Sequence, residues 1–170
     1  MILCFSDYTL DIDVERTRAF YDSPAVLSTS EQCPCPGCRN YDKAILTAPA
    51  EVLDFLRSLG IDPRKPAEVF DVMGMLDENG GVYYAGWYHI CGTIIHGESR
   101  LDPLPEAEGQ APGSQAHWNN GHTHKPLPEF PFEVSFEEKC FILHEKFPAP
   151  TLQMEIDTHL PWVLSTSHNA

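Results

Sequence analysis

The sequence lacks most of the patterns that identify an enzyme outright. It has no Gly-x-Ser-x-Gly elbow, no phosphate-binding glycine loop and no dinucleotide fingerprint. No apolar run approaches the ~20 residues of a membrane span. Positive charge is scarce: 11 Lys and Arg face 25 Asp and Glu, a formal net charge of −14. Nucleic acids and anionic membranes are held by basic patches, so neither is an expected partner. A basic protein partner is compatible with this charge, which also favours solubility. The opening residues, Met1 to Asp7, carry no basic stretch ahead of their apolar run. They do not read as a secretory signal, and a cytoplasmic location is the expectation.

What is present describes a folded domain. Of the 170 residues, 42% are hydrophobic and 21% charged, which is globular rather than disordered. That length predicts one domain over 1–170, large enough to bury ~70% of its unfolded surface without staples. Six cysteines in a chain read as cytosolic argue against a disulfide framework. Cys4, Cys91 and Cys140 sit in apolar or strand-like settings and read as small buried hydrophobes.

Apolar periodicity places the elements. Residues 2–5 read as a strand, and Leu10, Ile12 and Val14 alternate with Asp11 and Asp13 as a strand with one wet face. The segment 14–21 also suits a short helix capped by Asp13 and stopped by Pro24. Residues 22–32 read as loop. A short helix is expected from about Cys38 to Leu46, and a stronger one from Pro49 to Leu59. The stronger helix has Thr47 as cap, an apolar stripe at Val52, Leu53, Leu56 and Leu59, and Gly60 as its left-handed stop. Residues 68–76 and 82–95 read as a β-hairpin across the turn Asp77-Glu78-Asn79-Gly80-Gly81. The second arm is apolar or aromatic on both faces, so it is expected to be central and covered on both sides, with Trp87 in the core. Residues 97–131 hold six prolines and four glycines and read as a long loop on the surface. Strands return at 132–136, at the apolar run Cys140-Phe141-Ile142-Leu143 and at 152–156. Together these predict an α+β fold: an antiparallel sheet of about five strands against two or three helices from the N-terminal half.

Chemistry concentrates in Cys33-Pro34-Cys35-Pro36-Gly37-Cys38, where three of the six cysteines fall within six residues. Cys35 and Cys38 have the Cys-x-x-Cys spacing of a metal knuckle, and Cys33 supplies a third thiolate for a zinc-type ion. There is no second Cys-x-x-Cys, so a fourth ligand must come from afar. His89 and Cys91, on one face of their strand, are the candidates, with Cys4 and Cys140 behind them. The same spacing also suits a dithiol oxidoreductase. Those enzymes place the motif directly after a buried strand, and here a loop is expected before it. A second cluster, His117, His122 and His124, falls in the long loop. With Glu129 it resembles the His-x-His…Glu spacing of cupin metal sites. Lys125-Pro126-Leu127-Pro128 breaks the strand such a site needs, so solvated histidines are expected.

Several segments resemble an uncharacterised family of small bacterial proteins. They are Thr17-Arg18-Ala19-Phe20-Tyr21, the motif Cys33-x-Cys35-x-x-Cys38-Arg39-Asn40-Tyr41, Leu59-Gly60-Ile61-Asp62-Pro63 and Gly86-Trp87-Tyr88-His89. The resemblance covers about the first 95 residues and implies a bacterial cytosolic protein; the family has no assigned activity to transfer. The sequence therefore reads as a binding or interaction domain built round a cysteine-cluster metal site. A dithiol or metal-dependent enzyme is one alternative. An acidic inhibitor or immunity-type protein that masks a basic partner is the other.

Overall fold

The computed structural model describes residues 1–97, 101–103, 116–118 and 123–168. In chain order the elements are β1 (Ile2–Phe5), β2 (Tyr8–Ile12), α1 (Val14–Tyr21), α2 (Thr29–Gln32), α3 (Pro36–Ala44) and α4 (Ala50–Ser58). There follow β3 (Glu68–Asp71), β4 (Gly81–His96), β5 (Leu101–Pro103), β6 (Ala116–Trp118), β7 (Phe132–Glu137) and β8 (Thr151–Pro161). Six strands form one antiparallel sheet in the order β1-β2-β4-β8-β7, with β3 also paired to β4. The fold is α+β, as the sequence predicts, with its helices in the N-terminal half. The expected long loop carries β5 and β6, which pair with each other.

Two departures from the sequence reading are local. The short helix α2 interrupts the expected loop at 22–32. Its signal is Ser28-x-x-Glu31, where Glu31 Oε2 accepts the Ser28 N–H at 2.7 Å. The apolar run 140–143 is not a strand; Ile142 adopts φ 46°, and Phe141, Ile142 and Leu143 are exposed. Among the caps, Asp13 accepts the Arg16 N–H at 3.1 Å, as predicted. Thr47 does not cap α4: its hydroxyl donates to the Ala44 carbonyl at 2.7 Å, and Pro49 holds the cap position.

Gly60 ends α4 at φ 82°, and a Cβ there would stand 2.5 Å from the Val14 carbonyl oxygen and 2.9 Å from the Arg18 nitrogen. Both neighbours are backbone, so α1 itself must move to admit a side chain. Gly60→Ala is expected to cost about 2–3 kcal/mol, from left-handed strain plus displacement of α1. A urea midpoint unchanged from wild type would show that α1 does not rest on this turn.

One face of the sheet is apolar. Tyr84, Tyr88, Phe132, Val134, Phe136, Met154 and Ile156 are all buried, at alternate positions along β4, β7 and β8. On this face α3 sets the Tyr41 ring 5.2 Å from that of Tyr84, and Phe55 of α4 meets Phe5 at 4.9 Å. The intervening positions are polar, and alternation predicts that they are wet. They are covered instead: Ser135, Glu137, Gln153 and Glu155 are buried. On the same side, Phe141 lies 6.3 Å from Trp87 and Phe147 lies 5.6 Å from His89. β4 is central, as expected, but Trp87 is only half-buried, its Nε1 donating to the Phe141 carbonyl at 3.1 Å. Its truncation therefore forfeits less than the ~3–5 kcal/mol of a fully buried aromatic.

β3 and β2 pair with successive parts of β4, residues 84–87 and 92–96. Between them α1 supplies the missing partners. Tyr21 Oη donates to the His89 carbonyl at 2.9 Å and accepts the His89 N–H at 3.1 Å. Thr17 Oγ1 accepts the Cys91 N–H at 2.9 Å. Buried peptide groups need such partners, and two hydroxyls from one helix provide them.

Candidate functional site

The cysteine cluster is built at the joint between two helices. Cys33 closes α2 as its C-cap and Cys35 opens α3 as its N-cap. Pro36 occupies the first position of α3, where a missing N–H is harmless. Cys38 follows in the first turn. The three Sγ atoms lie within 4.8 Å of one another. A tetrahedral zinc with ~2.3 Å bonds holds its sulfurs ~3.8 Å apart, so only a small contraction separates this arrangement from a binding geometry. The cluster can hold a metal ion.

Hydrogen bonds act in opposite directions on two of the three sulfurs. The Cys38 N–H donates to Cys35 Sγ at 3.4 Å. The Cys35 N–H, followed by the Cys35 and Cys38 side chains, holds the Cys33 thiol below its ordinary value. Burial pushes the Cys38 thiol up, and the neighbouring Cys35 and Cys33 push it further. A cation bound between them stabilises all three in the deprotonated form.

The residues after the cysteines lock the site to the sheet. Asn40 is fully buried; its Nδ2 donates to Tyr84 Oη at 3.1 Å and to the Pro161 carbonyl at 3.0 Å, and its Oδ1 accepts the Val163 N–H at 2.7 Å. Tyr84 Oη in turn donates to the Gly37 carbonyl at 3.0 Å, inside the cysteine turn. Tyr41 Oη lies 2.7 Å from Tyr88 Oη. The sequence reading assigned no role to Asn40. Its signal is a polar side chain at the same helical face as Tyr41 and Ala44, where an apolar residue would otherwise sit.

The chain before the cysteines is fastened too. Asp42 pairs with Arg64 through two contacts, Oδ1 to Nε at 2.6 Å and Oδ2 to Nη2 at 3.0 Å. Ser30 and Ser28 donate to the same carboxylate. The Arg64 carbonyl accepts from both the backbone and the hydroxyl of Thr29.

The expected fourth ligands do not join the cluster. Among the described residues the metal-capable group is Cys33, Cys35 and Cys38 alone. Tyr84 and Tyr88 of β4 face α3, so the odd-numbered His89 and Cys91 point to the opposite side of the sheet. There His89 meets Phe147, and Cys91 Sγ lies 3.6 Å from the Pro148 carbonyl. Cys140 lies 3.7 Å from the Thr151 carbonyl, and Cys4 is exposed on β1 rather than buried as expected. Asp71, beside Gly37 of the turn, is engaged elsewhere: it accepts the Met73 and Gly74 N–H groups and contacts His168 Nε2 at 2.6 Å.

The histidine loop is only partly described. His122 lies outside the described residues. His117 stands on β6, opposite Asp102. His124 is not a solvated loop residue: Nδ1 is 2.8 Å from Ser6 Oγ and Nε2 is 2.6 Å from Asp7 Oδ1, both in the β1–β2 turn. Its backbone also pairs with Val134 of β7. Glu129 is exposed.

No protein-family model matches the chain, and it matches neither a curated protein nor a solved structure. No helix among the described residues is long and apolar enough to cross a membrane. The functional reading therefore rests on the site itself.

Proposed function

We propose that Cys33, Cys35 and Cys38 bind one zinc ion, which fastens α2 to α3, and that the protein acts by binding a partner rather than by catalysis. The observation that carries this reading is the convergence of three Sγ atoms within 4.8 Å on a turn fixed at both ends. A thiolate set of this kind favours zinc over hard cations such as magnesium or calcium. A water, or a ligand from the partner, takes the fourth position. The excess of 25 acidic over 11 basic residues suits a basic protein as that partner and a cytoplasmic setting keeps the thiols reduced.

The test is metal content. Protein purified without chelator or histidine tag should carry about one zinc per chain, and Cys38→Ser should lower this at least tenfold. Cobalt in place of zinc should give the visible bands of a tetrahedral thiolate site. The N-cap position of Cys35 also suits a dithiol, since helix N–H groups stabilise a thiolate there. Zinc-free protein that forms a reversible Cys35–Cys38 disulfide, with unchanged stability when zinc is added, would replace the metal reading with the redox one.

A further inference from the structure

On the far side of the sheet from the cysteines, His89 lines a cavity of about 350 Å³. This is within the ~300–1,000 Å³ range of small-molecule sites, at its lower end. Three features mark it as a binding site. The first is His89 itself. It is 2% exposed and its Nε2 is covered, so the ring serves as a fixed wall of the cavity. The ring is held in place from behind. Gln153, its partner across the β4–β8 ladder, is fixed at both ends: Oε1 accepts the Phe141 N–H at 2.6 Å, and Nε2 donates to Glu155 at 2.9 Å. Burial lowers the His89 pKa to about 4, against the opposing pull of Gln153 and the Phe141 backbone. At neutral pH the imidazole is uncharged, with one nitrogen carrying a proton.

The second feature is charge. In a chain with 25 acidic residues, none of the described residues lining this cavity is Asp or Glu. Lys65 is there instead. Its ammonium gives one proton to the Tyr21 carbonyl at 2.6 Å and stands 4.0 Å from Asp62. Two of its three donors remain for a ligand. The third feature is the rim. Leu27, Ile142 and Leu143 line the opening and are exposed, while Phe20 and Val26 form the inner wall. Exposed apolar side chains gathered at the mouth of one cavity mark a site of interaction.

We propose that this cavity binds a small amphipathic monocarboxylate, its head held by Lys65 and its hydrocarbon tail packed between Val26, Leu27, Ile142 and Leu143. The apolar wall supplies most of the affinity, and the Lys65 ammonium sets orientation and selects the anion. This site is separate from the cysteine cluster, and its test does not depend on metal.

Decanoate is the probe, titrated into the full-length protein by calorimetry, with decanol and decylammonium as controls for charge. Decanoate should bind with a dissociation constant below 1 mM, at least tenfold tighter than either control. Lys65→Met keeps the alkyl stem and removes the charge; it should weaken decanoate at least tenfold and leave decanol unchanged. Ala25→Trp, at an exposed position on the wall, fills the cavity and should abolish binding of both. In protein labelled with nitrogen-15 at histidine, one imidazole signal, absent from His89→Gln, should shift during the titration. Absence of decanoate binding at millimolar concentration overturns the proposal. So does equal binding of decanoate and decanol, or binding unaffected by Ala25→Trp.

Discussion

Truncating Tyr88 to alanine should destabilise the protein by about 3–5 kcal/mol, the range for a large aromatic lost from a packed core. Tyr88 is 0% exposed and sits where α3 meets β4. Its hydroxyl donates to the Pro63 carbonyl at 2.6 Å, so the short 2.7 Å contact with Tyr41 must run from the Tyr41 hydroxyl to Tyr88 Oη. Burial pushes the Tyr41 hydroxyl pKa well above its ordinary value, so the proton stays in the chain. The variant loses the ring and strands both partners. Tyr88→Phe separates these effects: it keeps the ring, leaves the Pro63 carbonyl and the Tyr41 hydroxyl unmatched, and should cost about 1–3 kcal/mol. The check is chemical denaturation of the three proteins. If Tyr88→Phe is as stable as wild type, the hydroxyl chain contributes nothing, and α3 is held by packing alone.

The second large effect should come from Arg64→Ala, at roughly 2–3 kcal/mol. Removing one partner of a fully buried pair costs about 3–5 kcal/mol. The lower figure follows because the Arg64 side chain keeps 45% of its surface in water while Asp42 keeps 7%. The pH dependence supplies an independent test. Burial pushes the Asp42 carboxyl up, but Arg64, Ser30 and Ser28 outweigh it and hold it below the usual carboxylate range. A carboxyl lowered on folding contributes stability that is complete above its unfolded pKa of ~3.9 and is lost as pH falls through its folded value. The gap between wild type and Arg64→Ala should therefore be largest near neutrality and shrink below about pH 4. A gap that is constant from pH 7 to pH 3 would mean that Arg64 acts through the packing of its side chain rather than its charge.

Much of the scaffold was legible because its signals are local. Asp13, the apolar stripe of α4, Gly60 and the alternation along β7 and β8 each act within a few residues of themselves. The α2 helix was missed and read as loop: Ser28-x-x-Glu31 is its signal, but four residues between a loop and a cysteine turn carry no periodicity to draw attention to it. The run at 140–143 shows the limit of composition. Its apolar character suits a strand, but its backbone bonds the Trp87 and Gln153 side chains, and it borders a cavity instead. The three cysteines were legible as a group because they are neighbours in sequence. The fourth-ligand expectation failed on parity: Tyr84 and Tyr88 commit the even side of β4 to the helices, which sends His89 and Cys91 the other way. What covers the polar side of the sheet is a tertiary fact, and no reading of one strand's alternation contains it. That is why the burial of Gln153 and Glu155, and the enclosed His89 beside them, emerged only from the assembled fold.

The two hydroxyls that α1 lends to β4 have a consequence for how the protein fails. Most strand edges are either paired for good or left in water with charges to guard them. Here a central strand carries a short vacancy, closed by a helix of eight residues that rests on Gly60. When that helix lifts away, peptide groups at His89 and Cys91 are left bare within an otherwise intact sheet. Opening at α1 would thus bare peptide groups in the middle of the sheet rather than at a frayed end. A chain opened there presents a ready template for an extended strand of another molecule before the core has melted, so α1 guards against association as well as contributing to stability.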